Sequence, residues 1–106
     1  MSVYLLATLD TKGREAAFVR DCLNALGIDV ILVDCGCIGE PSFEADYIPR
    51  DVFVRAGTTL DAMRKQADRG AAVKMAAKGA AGLVLDGYDD GKLEGVVANG
   101  GEEGTN

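Results

Sequence analysis

Residue types suited to binding a phosphate or a carboxylate are concentrated in one short stretch near the start of the chain. It contains the hydroxyls of Thr8 and Thr11, the carboxylate of Asp10 and the ammonium group of Lys12. An apolar run, Val3 to Leu9, predicts a buried strand leading into this stretch, and an amphipathic helix is predicted to follow it. The first N–H groups of such a helix are unpaired and point at the end of the strand, where an anion is stabilised.

The same residues also fit a local structural role. Asp10 and Thr11 are residue types that cap helix N-termini, and Lys12 is of a type that is usually solvated. The local pattern alone favours capping. The predicted helix carries one apolar stripe at three-and-four spacing, which places a cysteine in the core. The stripe consists of Phe18, Val19, Cys22, Leu23 and Leu26.

Asp34 ends a second apolar run, Ile28 to Val33, which is rich in β-branched residues and predicts a second strand. In dinucleotide-binding folds an acidic residue at this point accepts hydrogen bonds from a ribose. The first turn has no G-x-G-x-x-G sequence, so a dinucleotide fingerprint is not indicated. The alternative roles of Asp34 are a helix cap and a solvated turn residue.

The chain has three cysteines, Cys22, Cys35 and Cys37, and no histidine. An odd number of cysteines without a secretory signal indicates reduced thiols. A structural zinc site needs four ligands, so no metal site is predicted. Redox chemistry at Cys35 and Cys37 is disfavoured, because C-x-C lacks the two-residue spacer of redox motifs.

Length and charge limit the classes of function. The chain has 106 residues, enough for a single domain with a modest core. A net charge of −6 without a basic run argues against direct binding of nucleic acid. No apolar stretch has the length of a membrane span, and no signal peptide is visible. We therefore expect a cytoplasmic protein that does not bind membranes.

The order of the elements predicts an α/β fold. The strand, helix and strand at the start form a βαβ unit with parallel strands, and Gly95 to Asn99 is predicted to be a third strand. The predicted sheet order is 2-1-3. A long connection from Cys35 to Gly57 is typical of a segment that covers a site or contacts a partner. Residues 71–92 fit either one long helix or a helix interrupted by a strand at Leu83.

A glycine cluster follows the third predicted strand. Gly100 and Gly101 are of the type that lets backbone N–H groups approach a phosphate. Glu102 and Glu103 would repel a phosphate from the same loop. A solvated terminus is the alternative interpretation.

Several of these motifs together resemble a known family. They are the T-L-D-T-K-G turn, the V-D-C-G-C-I-G-E-P loop, A-G-T, D-R-G and G-V-V, the last beginning at Gly95. The chain resembles the start of the ATP-binding domain family named after a tomato tobamovirus-resistance protein. The resemblance implies that residues 1–106 form one Rossmann-like half domain of a longer protein. It also implies a site for ATP, with or without Mg²⁺, at Thr8 to Lys12 and at Gly100 and Gly101, and one long helix over residues 71–92.

Two functions follow as expectations. The first is binding of ATP or another phosphorylated small molecule, with Asp34 as a further contact and without demonstrable catalysis, because no catalytic base stands out. The second is a self-associating module with a vestigial nucleotide site. Three parallel strands leave sheet edges and faces uncovered, so we expect a homo-oligomer or packing against a missing second domain.

Overall fold

A computed structural model of the chain describes residues 2–36, 43–66 and 68–99. The elements alternate in the way expected of an α/β fold. They are β1 (Ser2–Ala7), α1 (Leu9–Ala25), β2 (Val30–Asp34), α2 (Pro49–Arg55), α3 (Leu60–Gln66), α4 (Arg69–Asp89) and β3 (Leu93–Asn99).

The three strands form one parallel sheet with β1 in the centre, in the order β2-β1-β3. Leu5 of β1 pairs with Leu32 on one side and with Val97 on the other. This arrangement confirms the predicted fold class and strand order. Because side chains alternate along a strand, successive residues of β1 serve opposite faces of the sheet.

Each face of the sheet has its own core. Tyr4 and Val33 pack with Val52 and Phe53 of α2 and with small residues of α4. On the other face Leu5 packs with Leu32 and with the first turns of α1. Helices therefore pack on both faces and the fold has three layers, so the expectation of uncovered sheet faces is wrong where α1, α2 and α4 pack.

Helix α4 runs unbroken from Arg69 to Asp89, so the prediction of one long helix is confirmed and the strand at Leu83 is excluded. Asp68 caps it by accepting a hydrogen bond from the Ala71 backbone N–H at 3.1 Å. Three of its glycines, Gly79, Gly82 and Gly87, lie where an added Cβ would come closer than 3.0 Å to a neighbouring residue. A Cβ at Gly79 would overlap the Val52 carbonyl of α2, so glycine is what allows the two helices to pack at this distance.

The apolar stripe predicted for α1 is wrong in part. Phe18 and Leu26 are 69% and 76% exposed, and Cys22 is exposed rather than in the core. Among the described side chains of α1, the buried apolar ones are Leu9 and Ala16, and Val19 of the predicted stripe packs against the same core. Periodicity alone does not distinguish this side of the helix from the Phe18 side.

The other boundaries differ by one or two residues. The first strand ends at Ala7, and Leu9 begins α1 rather than ending the strand. Gly27 has a φ of 80°, the left-handed conformation expected after the helix. The long connection after β2 contains α2, whose first residue is Pro49. No helix among the described residues is long and apolar enough to cross a membrane.

Candidate functional site at the carboxyl edge of the sheet

The turns that leave the strands start side by side. Ala7, the last residue of β1, pairs with Asp34 of β2 and with Asn99 of β3. From this edge α1 returns along one face of the sheet, whereas α2 and α4 lie on the other. In open α/β sheets ligands bind outside the carboxyl ends of the strands, where connections leave to opposite faces of the sheet. Here the connections that leave β1 and β2 do so.

Thr8 connects β1 to α1 and occupies the N-cap position, without a capping hydrogen bond from its side chain. Its hydroxyl instead lies 3.1 Å from the Thr11 hydroxyl. Its carbonyl oxygen accepts hydrogen bonds from the N–H groups of Thr11 at 3.2 Å and Lys12 at 2.7 Å. The cap position therefore belongs to Thr8 rather than to Asp10 or Thr11, and two hydroxyls are held together at the helix N-terminus.

Lys12 interrupts the first turn of α1. Its φ and ψ of −123° and 27° are not helical, so the helix is kinked at this residue. The residue is half-buried, and within the described part of the chain its ammonium group makes no ion pair. A cation held close to the turn without an internal carboxylate is suited to an external anion.

Asp34 links the connections that follow β1 and β2. It is only 2% exposed, and its Oδ1 accepts hydrogen bonds from the N–H of Leu9 at 3.2 Å and of Gly36 at 2.9 Å. These bonds fix the start of α1 against the end of β2. From the sequence, Asp34 was expected to contact a ligand, with a helix cap or a solvated turn residue as alternatives. The bond to Leu9, the first residue of α1, is of the capping kind, whereas the burial of the side chain was not expected.

Cys35 follows Asp34 and is half-buried. Burial, with a smaller effect of the Asp34 charge, raises the pKa of its thiol to about 12. Its backbone N–H donates to the Ala7 carbonyl at 2.7 Å, which extends the β1 and β2 pairing. Cys37 lies outside the described residues.

A short segment after β2 was missed by sequence reasoning. Tyr47 forms a parallel bridge with Val33, and the Asp46 carboxylate accepts a hydrogen bond from the Leu32 N–H at 2.7 Å. The segment covers the outer edge of β2. Its two residues are too few to give a periodicity signal.

The structure thus brings Thr8, Thr11, Lys12 and Asp34 to one edge of the sheet. The backbone of Asp10 belongs to α1, but the structure does not describe its side chain. Gly100 and Gly101 lie outside the described residues. Among the residues that are described, no group of acidic or thiol side chains is arranged to hold a metal ion.

Comparison with known proteins places the chain in a family. The model that matches is the N-terminal domain of the uncharacterised protein family UPF0261, over residues 1–106. A UPF0261 protein of Clostridium tetani is 31% identical over 103 residues, which are 97% of this chain and 26% of that protein. UPF0261 proteins of Brucella suis and Rhizobium meliloti are 33% and 35% identical over 97% of this chain and 25% of their own lengths.

The chain therefore spans about a quarter of the length of the curated relatives it matches. No solved structure matches it.

These matches correct the family expected from the motifs. The resemblance to the ATP-binding family named after a tomato tobamovirus-resistance protein is wrong, because both the family model and the relatives are those of UPF0261. The T-L-D-T-K-G turn is short, and a strand-to-helix turn of this composition serves any α/β fold. An argument for a ligand must therefore rest on the geometry of the edge.

Proposed function

The chain belongs to the UPF0261 family, and we propose that its N-terminal domain binds a small phosphorylated ligand, such as ATP, at the carboxyl edge of the sheet. The observation that carries the proposal is that the strands end side by side at Ala7, Asp34 and Asn99, where the connection from β1 leaves to one face and that from β2 to the other. Crevices of this kind are where open α/β sheets bind their ligands.

The electrostatics of the first turn support an anionic ligand. The N-terminus of α1, a helix of 17 residues, carries partial positive charge. Lys12 adds a full charge close to it, and the paired hydroxyls of Thr8 and Thr11 supply hydrogen bonds that adapt to a phosphate oxygen. Asp10, Gly100 and Gly101 remain proposed contacts from the sequence.

Asp34 sets a limit on where the phosphate lies. Its carboxylate takes the Leu9 N–H, so the innermost donor of the helix is already used. A phosphate is therefore proposed to bind farther out, on the side of Lys12 and Thr11. A ribose contact by Asp34 would require the side chain, which is 2% exposed, to open toward the ligand.

Thermal unfolding of this chain with five additions tests the proposal. They are ATP with Mg²⁺, ATP with a chelator, Mg²⁺ alone, inorganic phosphate, and adenosine, each at millimolar concentration. A ligand at a hundredfold its Kd stabilises the folded state by about 2.7 kcal/mol, which raises Tm measurably. We expect a shift with both ATP samples and none with adenosine. No shift with ATP or phosphate would refute the proposal, and a shift with Mg²⁺ alone would assign it to the cation.

A second function, a self-associating module, is supported by apolar side chains at the surface of α1. Phe18 and Leu26 lie eight positions apart in sequence and are both mostly exposed, with the exposed Cys22 midway between them. Large apolar side chains grouped on one side of a helix are typical of contacts with another protein.

The cytoplasm is the proposed compartment for either function.

A further inference from the structure

The two lateral edges of the sheet, which are the outer sides of strands β2 and β3, are not equivalent. The edge strand β2 is covered, because Tyr47 accepts a hydrogen bond from the Asp34 N–H at 2.9 Å and donates one to the Leu32 carbonyl at 3.0 Å. On the opposite side of the sheet, no segment among residues 2–36, 43–66 and 68–99 pairs with the outer edge of β3.

One hydrogen bond shows which backbone N–H groups of β1 point toward β2 and which toward β3. The Val3 N–H donates to the Asp29 carbonyl at 2.8 Å, on the β2 side. Backbone N–H groups alternate in direction along a strand, so those of Tyr4 and Leu6 point toward β3.

This orientation determines which groups of β3 face outward. Tyr4 pairs with Val96, and Leu6 pairs with Ala98. In a parallel pair, a residue that lies directly opposite a bonded residue directs its own N–H and C=O away from the partner strand. Val96 and Ala98 therefore present their backbone groups to the outer edge, whereas Val97 bonds inward to β1.

The side chains of β3 are not those of a protected edge. Val96 is 46% exposed in the middle of a parallel strand, although parallel sheets are normally covered on both faces. Edges that must stay unpaired usually carry lysine, proline or inward charges. The sequence of β3 is LEGVVAN, whose single charge is Glu94, near its start. The edge has the chemistry of a pairing surface.

We propose that in full-length UPF0261 proteins a strand from the region beyond this N-terminal domain pairs with the outer edge of β3. The segment matched here is 25 or 26% of the relatives' length, so most of each relative lies outside it. A crossover helix joined to that strand would cover Val96. A second copy of this chain is a poorer occupant, because each copy carries a net charge of −6.

Hydrogen exchange at single amides tests the proposal. The samples are this chain and the full-length Clostridium tetani protein. In this chain we expect the Val96 and Ala98 amides to exchange on the order of a hundredfold faster than the Val97 amide, which serves as the inward control. In the full-length protein, the amides aligned with Val96 and Ala98 should exchange as slowly as the one aligned with Val97.

The alternatives give different results. Fast exchange at the aligned positions of the full-length protein would show that the edge is open, and would overturn the proposal. Slow exchange that is lost on tenfold dilution, in either sample, would assign the edge to a second copy and would also overturn it. Slow exchange of the Val96 and Ala98 amides in this chain at every concentration would mean that the chain covers its own β3 edge. That result would also overturn the proposal.

Discussion

Among single residues, Asp34 has the most consequences for the candidate site. It is buried, and one of its oxygens accepts bonds from the backbone of two different connections, at Leu9 and Gly36. Buried N–H groups that lose their acceptor cost about 1–3 kcal/mol, more than the bond itself contributes net. Asp34 therefore controls both the stability of the edge and the position of the first turn of α1.

Asp34→Ala should lower the free energy of unfolding by about 2 kcal/mol or more, because the Leu9 and Gly36 N–H groups are left without this acceptor. Asp34→Asn keeps an acceptor oxygen and should lose less. Urea unfolding measures both variants. Asp89→Ala, which removes an exposed carboxylate, is the control and should change stability by less than about 0.5 kcal/mol. Equal stability of Asp34→Ala and the control would show that these bonds do not hold the edge.

Cys35 and Cys22 should differ in reactivity. A thiol whose pKa is raised to about 12 holds almost no thiolate at pH 8, and thiolate is the form that reacts. We expect iodoacetamide at pH 8 to modify the exposed Cys22 at least roughly tenfold faster than Cys35 in the folded chain. Peptide mapping gives the two rates. In urea the rates should converge, and faster modification of Cys35 than of Cys22 in the native state would contradict its burial.

At the scale of elements, the contact between α2 and α4 depends on glycine. A Cβ at Gly79 would overlap the Val52 carbonyl, a backbone atom that cannot move without shifting α2. Gly79→Ala should therefore destabilise the fold by at least about 2 kcal/mol, although alanine is the better helix former. Gly70→Ala is the matched control, since its Cβ would lie 3.4 Å from Asp68 Oδ1, an ordinary contact. A Gly79→Ala variant as stable as Gly70→Ala would mean that the helices are not this close.

Some properties of the helices and strands could be predicted from the sequence, and others could not. The strands were predictable because β-branched runs such as Ile31 to Val33 are bounded by turn residues, and the sheet order followed from the handedness of crossovers. The buried side of α1 was not predictable, because the helix has more than one apolar stripe and docking against the sheet selects between them. Phe18 lies on the side that was not selected.

The candidate site was predictable only in outline. The residues Thr8 and Lys12 stood out because small polar groups and a cation follow a strand. The kink at Lys12 and the inward bonds of Asp34 depend on contacts between residues far apart in the chain, such as Leu9 with Asp34. Such contacts leave no local pattern in the sequence.

At the scale of the whole molecule, large apolar side chains are exposed on both a helix and an edge strand. Phe18 and Leu26 on α1 and Val96 on β3 are all at least 46% exposed. In the full-length relatives, three quarters of the protein is available to cover such surface. In the isolated chain, the expected consequence is association through Phe18 and Leu26, opposed by the net charge of −6 on each copy and leaving the edge of β3 unpaired.

We expect light scattering to give a mass above that of the monomer at micromolar concentration, increasing with salt because each copy carries a charge of −6. Phe18→Lys combined with Leu26→Lys should restore the monomer. Val54→Lys, which replaces another exposed apolar residue on α2, is the control and should leave association unchanged. A monomer mass for the parent chain over a tenfold dilution series would contradict the expectation.

The central claim is that the carboxyl edge of the sheet binds a phosphorylated ligand through Lys12. The most direct measurement is calorimetric titration of ATP with Mg²⁺ into the parent chain, Lys12→Ala and Lys92→Ala. Lys92 is the matched control. Its carbonyl accepts a hydrogen bond from the Ser2 N–H at 2.6 Å, so it lies at the amino ends of the strands, away from the candidate site. Loss of a charge-assisted bond costs about 1.5–3 kcal/mol, so Lys12→Ala should weaken binding roughly tenfold or more while Lys92→Ala binds like the parent. Equal affinity of Lys12→Ala and the parent, or an equal loss in both variants, would contradict the site.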